Sequence, residues 1–199
     1  MIEDTSQYGD GKFIMDHFAG RIGRFLDIGA YDGIALSTTN GLYQMGWSGV
    51  CVEPSPLPFG GLVRNYENSQ NIVLVNALIR TSDDAPLVKF WSTGDCLSTT
   101  KIEHRWKFAD YPFTPILVPR GVTWGELLAA VEDDGHPPFS FVSVDTEGTN
   151  AAVLAAMPIR PEMVCVELDP SDGDAANKTL DEMGYRITRI GGNLIGVRP

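Results

Sequence analysis

Arg24-Phe-Leu-Asp-Ile-Gly-Ala-Tyr-Asp-Gly33, followed by Val50-Cys-Val-Glu-Pro54, decides the fold. The first half reads as a buried strand, Arg24 to Ile28, that runs into a glycine-rich turn before a helix. The second half reads as another buried strand, Gly49 to Glu53, with a carboxylate at its tip. An α/β sheet holds a nucleoside in this way. Glycines let backbone approach the ligand, and an acid on the second strand accepts hydrogen bonds from ribose hydroxyls.

The turn is Gly-x-x-x-Gly, from Gly29 to Gly33, and not Gly-x-Gly-x-x-Gly. It lacks the packed glycines that admit a dinucleotide pyrophosphate, and Asp27 stands at the strand end. Both features favour S-adenosylmethionine (SAM), which has no phosphate and carries a sulfonium and an ammonium for carboxylates to meet. An NAD-dependent oxidoreductase is disfavoured for the same reason.

The same alternation continues outward from this core. A short helix is expected over 11–20, with Phe13, Ile14, His17 and Phe18 on one side and Gly20 as its stop. Helices are expected at 34–45 and 59–68, a strand buried on both faces at 72–75, and a short strand at 88–91. Thr123 and Glu126 form a capping box for a helix through Val131. A strand at 140–145, a helix at 149–156, a strand at 163–167 and a helix at 172–183 follow. The chain closes as a hairpin, 185–190 and 194–197, across Gly191-Gly192-Asn193. The expected fold is α/β: a mostly parallel seven-stranded sheet with helices on both faces and an antiparallel C-terminal hairpin. Residues 1–199 are expected to form one domain. The irregular segment of about 92–119 is its variable, acceptor-side part.

Composition narrows the partners. The net charge of −11 repels phosphate backbones, so nucleic acid is disfavoured as a partner. The densest basic run, Lys101 to Lys107, holds Lys101, His104, Arg105 and Lys107 beside Glu103, and reads as a solvated lid face. Cys51 and Cys165 fall in expected strands and, with Cys96, form no C-x-x-C unit. That usage fits a reducing, cytoplasmic setting. No secretory leader is expected, and no apolar stretch approaches a membrane span.

Five blocks, in order, resemble the FkbM family of SAM-dependent methyltransferases. Ser6-Gln-Tyr-Gly-Asp-Gly-Lys-Phe13 is similar to the family's Ser-Gln-x-Gly-x-Asp opening, whose Asp falls near Asp10 or Gly11. Asp27-Ile-Gly-Ala-Tyr-Asp-Gly33 follows. Gly46-Trp-Ser-Gly-Val-Cys-Val-Glu-Pro-Ser-Pro56 resembles the Gly-Trp-x-Gly-x-x-x-Glu-Pro-x-Pro block. Val75-Asn-Ala-Leu78 resembles the third strand end. Val144-Asp-Thr-Glu-Gly148 with Val153-Leu154 resembles the Asp-x-Glu-Gly-x-x-x-x-Val-Leu hallmark. The resemblance implies the class I, Rossmann-like methyltransferase fold and O-methylation of a sugar or secondary metabolite. Nothing in 92–115 matches a family motif, so the acceptor is not carried over.

Site expectations follow from both readings. Asp27, Gly29, Tyr31 and Gly33 are expected around the methionyl part of SAM, Glu53 with Pro54 at the ribose, and Asn76 with Ala77 at the adenine. Asp145 and Glu147 follow the fourth strand, and Glu167 and Asp169 follow the fifth with the same spacing. Residues i and i+2 on a strand face one way, so each pair can converge, and four carboxylates in one place repel unless protonated, paired or metal-bound. Three roles stay open: a divalent cation such as Mg²⁺ on Asp145, Glu167 and Asp169, as in metal-dependent O-methyltransferases; a general base or acceptor-orienting group in Asp145 or Glu147; or a helix cap at Glu147. His104 is a candidate base or a solvated loop histidine. Trp91, Trp106, Phe108, Tyr111 and Phe113 would wall a small-molecule or glycan acceptor. N-methylation of protein or RNA, and a non-catalytic SAM-fold binding module, are the alternatives.

Overall fold

The computed structural model describes residues 2–81, 87–119, 121–131 and 137–199. Seven strands form one sheet in the order β3-β2-β1-β6-β7-β9-β8: β1 Arg24–Ile28, β2 Ser48–Val52, β3 Ile72–Val75, β6 Phe141–Val144, β7 Met163–Glu167, β8 Arg186–Ile190 and β9 Asn193–Val197. β1 pairs in parallel with β2 and β6, β2 with β3, and β6 with β7. β9 enters antiparallel between β7 and β8. This is the expected Rossmann-like methyltransferase arrangement, hairpin included.

Alternation along the buried strands splits the core in two. Leu26, Ile28, Val50, Val52, Val142, Val144, Val164 and Val166 face one way, onto α5 (Trp124–Val131), α6 (Asn150–Ala155) and α7 (Gly173–Glu182). Phe25, Cys51, Phe141, Met163, Cys165 and Ile195 face the other way, onto α1 (Asp10–His17), α2 (Asn40–Gln44) and α3 (Pro56–Tyr66). Asp27 lies on this second face and is buried, paired across the sheet with Cys51 and Ser143. The Thr123–Glu126 capping box is present. Thr123 N–H donates to Glu126 Oε2 at 2.7 Å, and Glu126 N–H donates to Thr123 Oγ1 at 3.1 Å.

Four expectations are corrected. Helix is absent from 34–39, where Leu36 takes a left-handed backbone at φ 59° and side chains cap the turns on either side. Asp32 Oδ1 accepts from the N–H of Ile34 and Ala35, at 2.9 and 2.8 Å, and Ser37 Oγ accepts from Asn40 N–H at 3.0 Å. α3 starts at Pro56 rather than residue 59, since proline suits a first helical turn whose N–H groups are unbonded anyway. β3 is an edge strand, not one buried on both faces, and Val73 is 45% exposed. The irregular segment holds a ribbon of β4 (Leu87–Ser92) and β5 (Thr114–Pro119), antiparallel, with α4 (Ile102–Lys107) between them. Its helix is only six residues long and its second strand is edged by prolines, so neither carries a strong local signal.

Candidate active site

The carboxyl ends of β1, β2, β6 and β7 open on one cavity of about 520 Å³, covered by residues of β4 and α4. Asp27, Gly29, Tyr31, Glu53, Pro54 and Ala77 line one side of it, and Asp145, Glu147, Glu167 and Asp169 line the other. Gly33 and Asn76 are not among its lining residues.

Glu53 organises the first side. Its Oε2 accepts the Tyr31 N–H at 3.0 Å and its Oε1 accepts the Ser55 N–H at 2.7 Å. Tyr31 reaches Glu53 because its backbone is left-handed, at φ 51°. Burial lifts the Glu53 carboxyl to about 7 in spite of these bonds. Asp27 accepts from Thr39 Oγ1 at 2.7 Å, and burial lifts it to about 6. This bond ties the strand-end acid to the segment before α2.

The two glycines serve packing. A Cβ on Gly29 would sit 1.6 Å from the Asp145 carbonyl oxygen, so Gly29 lets the turn after β1 cross the end of β6. A Cβ on Gly33 would sit 2.4 Å from the Tyr66 ring, whose hydroxyl donates to Gly33 O at 2.8 Å. Gly33 thus seats α3 against the turn. Asn76 likewise braces the wall from behind, its Nδ2 donating to Glu53 O at 2.8 Å.

The second side is a knot of carboxylates around an imidazole. Burial, then Glu167 and Glu147, raise the Asp145 carboxyl well above its ordinary range. Glu167 is also raised, chiefly by burial. Glu147 is half-buried, with a left-handed backbone at φ 51° and a carbonyl that accepts from Thr99 Oγ1 at 2.7 Å. His104 is 3% exposed and lies between two acids: Nδ1 is 3.1 Å from Asp169 Oδ2, and Nε2 is 3.0 Å from Glu147 Oε2. Burial would lower its proton affinity, but Glu147 and Asp169 together raise it. Asp169 also receives Lys107 Nζ at 2.8 Å and the hydroxyl of Ser171. Burial opposes its charge, yet Lys107 and Ser171 hold it well below the usual carboxylate range.

Two expectations change here. His104 is not a solvated loop residue, because α4 turns it inward against Asp169. The set Asp145, Glu167 and Asp169 does not assemble as expected, since Asp169 is drawn aside by Lys107, Ser171 and His104. The close groups among the described residues are Asp145, Glu147 and Glu167, and His104, Glu147 and Asp169. Lys107 was missed as a site residue. Its signal was a spacing of three from Lys101 through His104, which puts all three toward one helix face. Of the five expected acceptor-wall aromatics, Phe108 lines the cavity, while Trp106 is 64% exposed. Trp91 stacks with Arg105, whose guanidinium carbon is 4.5 Å from the ring centre.

The sequence model of the methyltransferase FkbM domain matches residues 27–187, from the strand-end acid of β1 into β8. The chain belongs to the FkbM methyltransferase family. It is a SAM-dependent methyltransferase. Solved structures share the fold at low identity. A ribosomal protein L11 methylase from Lactobacillus delbrueckii subsp. bulgaricus superposes with a TM-score of 0.53 at 11% identity, over 95% of this FkbM chain and 77% of that one. Fibrillarin from Aeropyrum pernix, with natively bound SAM, gives 0.52 at 11% identity, over 88% and 66%. The METTL16 methyltransferase domain gives 0.52 at 12% identity, over 94% and 64%. Curated proteins provide no match. Among the described residues, no helix of this FkbM protein is long and apolar enough to cross a membrane.

Proposed function

We propose that this protein transfers the SAM methyl group to a hydroxyl of a sugar or secondary metabolite. In this reading Glu53 and Pro54 hold the ribose, with Asn76 bracing them, and Ala77 meets the adenine. Asp27, Gly29 and Tyr31 shape the methionyl end, with Gly33 fixing the turn from behind. The methyl then faces Asp145 and Glu147.

The observation that carries the hydroxyl reading is the convergence of Asp145, Glu147 and Glu167, whose carboxylate oxygens lie within 4.8 Å of one another at the cavity. Methyl transfer is an in-line displacement in which sulfur leaves as a neutral thioether, so the protein mainly positions donor and acceptor. A hydroxyl acceptor must also lose its proton. A carboxylate whose proton affinity is raised is the better base for it, and burial with mutual repulsion raises Asp145 and Glu167. The net charge of −11 supports a small or glycan acceptor over nucleic acid. Three free cysteines, two of them buried, support a reducing cytoplasmic setting.

Titration calorimetry with S-adenosylhomocysteine, followed by a methyl-transfer screen over glycans, hydroxylated metabolites, amines and RNA, tests this reading. Micromolar binding and methyl ether products are expected. Turnover confined to amines or RNA would overturn the hydroxyl assignment. Tight binding with no turnover would favour a non-catalytic module.

A further inference from the structure

The opening block, Ser6 to Phe13, precedes the family-model match, which begins at residue 27. It lies as a strap over the cavity end of the sheet. Ser6 bridges to Leu36 in parallel, Thr5 Oγ1 donates to Ser37 O at 3.4 Å, and Asn40 Nδ2 donates to Thr5 Oγ1 at 3.2 Å. Asp4 Oδ1 accepts the Ser6 N–H at 3.0 Å, and Ser6 Oγ accepts the Gly11 N–H at 2.9 Å. Farther along, Tyr8 packs on the turn between β8 and β9, where a Cβ on Gly191 or Gly192 would come within 2.4 or 2.5 Å of its side chain. Asp10, fully buried at the start of α1, accepts from Asn193 Nδ2 at the start of β9. The strap thus ties the turn after β1 to the turn before β9.

Gln7 stands between these two anchors. It is exposed, it lines the cavity with Leu36, Ser37, Thr38 and Asn193, and its carboxamide makes no hydrogen bond to a described residue. The other side-chain donors there are already bonded to protein. Ser37 Oγ pairs with Thr39 Oγ1 at 3.1 Å, Thr38 Oγ1 with Ser143 Oγ at 2.9 Å, and Asn193 Nδ2 with Asp10. The amino-acid end of SAM carries a carboxylate as well as an ammonium. Asp27 and Glu167, at the ends of β1 and β7, repel that carboxylate, so it needs a donor of its own. The cations at the cavity stand elsewhere: Lys107 Nζ is 2.8 Å from Asp169, Arg80 Nη2 is 3.7 Å from Glu126, and the Lys101 stem lies beside Gly148.

We propose that Gln7 binds the methionyl carboxylate of SAM through its carboxamide N–H, and that the strap pinned by Tyr8 and Asp10 is part of the cofactor site. A carboxamide suits this place because it carries both a donor and an acceptor. Nε2 donates to the carboxylate, and Oε1 is free to accept from the neighbouring ammonium, so one neutral side chain meets both charges. Anchors on either side of Gln7 hold its backbone before the ligand arrives, which lowers the ordering cost of binding. The inference rests on the placing of the methionyl end beside Asp27 and Gly29, and is independent of the acceptor.

Calorimetry on the full chain with two ligands tests this: S-adenosylhomocysteine, which has the amino-acid end, and 5′-methylthioadenosine, which lacks it. Gln7→Ala should weaken S-adenosylhomocysteine about tenfold, since a hydrogen bond to a charged group is lost. Gln7→Glu should weaken it further by setting a like charge beside the carboxylate. Both variants should bind methylthioadenosine as wild type does, which also reports that they are folded. Equal losses for the two ligands, or no loss for either, would overturn the role of Gln7. Glu53→Ala, which acts at the ribose shared by both ligands, separates the two ways of failing. If it weakens both ligands while the Gln7 variants weaken neither, the cofactor lies as proposed and Gln7 has no part in holding it. If neither Glu53→Ala nor the Gln7 variants change either affinity, the placing of the cofactor falls, and the role of Gln7 falls with it.

Discussion

The two halves of the cavity use buried carboxylates in opposite ways. At the ends of β1 and β2, Glu53 accepts two backbone N–H bonds and Asp27 a threonine hydroxyl. Each acid there has local donors, and the loops are built around it. At the ends of β6 and β7, Asp145 and Glu167 face each other and Glu147, with buried oxygens left unbonded. His104, which meets Glu147 among them, comes from a helix in the segment between β3 and β6. A carboxylate that binds its own loop holds the fold together, whereas one that faces its peers stores repulsion, and such placement is typical of a site kept for chemistry.

The contact that joins the two halves should give the largest effect. Gly29 combines φ 86° with a Cβ position 1.6 Å from the Asp145 carbonyl oxygen. Gly29→Ala should lose at least about 3 kcal/mol of stability, or fail to fold. Denaturant unfolding measures it, and an unchanged midpoint would mean that the halves are not locked there. Next comes Glu53→Ala, which removes the acceptor for Tyr31 and Ser55 together with the proposed ribose clamp. S-adenosylhomocysteine affinity should fall on the order of 100-fold by calorimetry, since bonds to a charged group contribute about 1.5–3 kcal/mol each.

A smaller effect concerns protons. Ribose hydroxyls donate, so the ligand favours ionised Glu53, whose carboxyl lies at about 7 in the ligand-free protein. Affinity should therefore rise with pH, by about tenfold between pH 6 and 8, and binding should release a proton. Glu53→Gln should flatten the profile. A profile unchanged in that variant would assign the proton to another group. The last prediction reverses sign between the halves. Asp145→Asn, measured in chelator, should stabilise the fold by about 1 kcal/mol by relieving repulsion with Glu167 and Glu147, while cutting turnover. Destabilisation instead would show that Asp145 is as well satisfied as Glu53.

Legibility along the chain followed the range of the forces involved. β1 and β7 stand at their expected bounds because apolar runs between turn residues report burial directly, whereas the run in β3 gave its bounds but not its place at the sheet edge. The capping box at Thr123 was legible because both its bonds span three residues. Helix at 34–39 was misread since Asp32 and Ser37 can bond nearby N–H groups in either state, and periodicity does not register that choice. Asn76 and Gly33 were recognised as special positions, yet what they touch, Glu53 O and Tyr66, lies on other elements.

By itself the sequence determined the family, the parallel sheet with its antiparallel hairpin, and the acids at four strand ends, because strand period and loop chemistry are properties of neighbouring residues. The tertiary structure alone decided which acids meet. It set Asp145 and Glu147 against Glu167, drew Asp169 away to Lys107, and buried His104 between Glu147 and Asp169. Contacts across 65 residues of chain, as between His104 and Asp169, are fixed by how strands line up and how a covering helix packs. No local pattern of residue types carries that information.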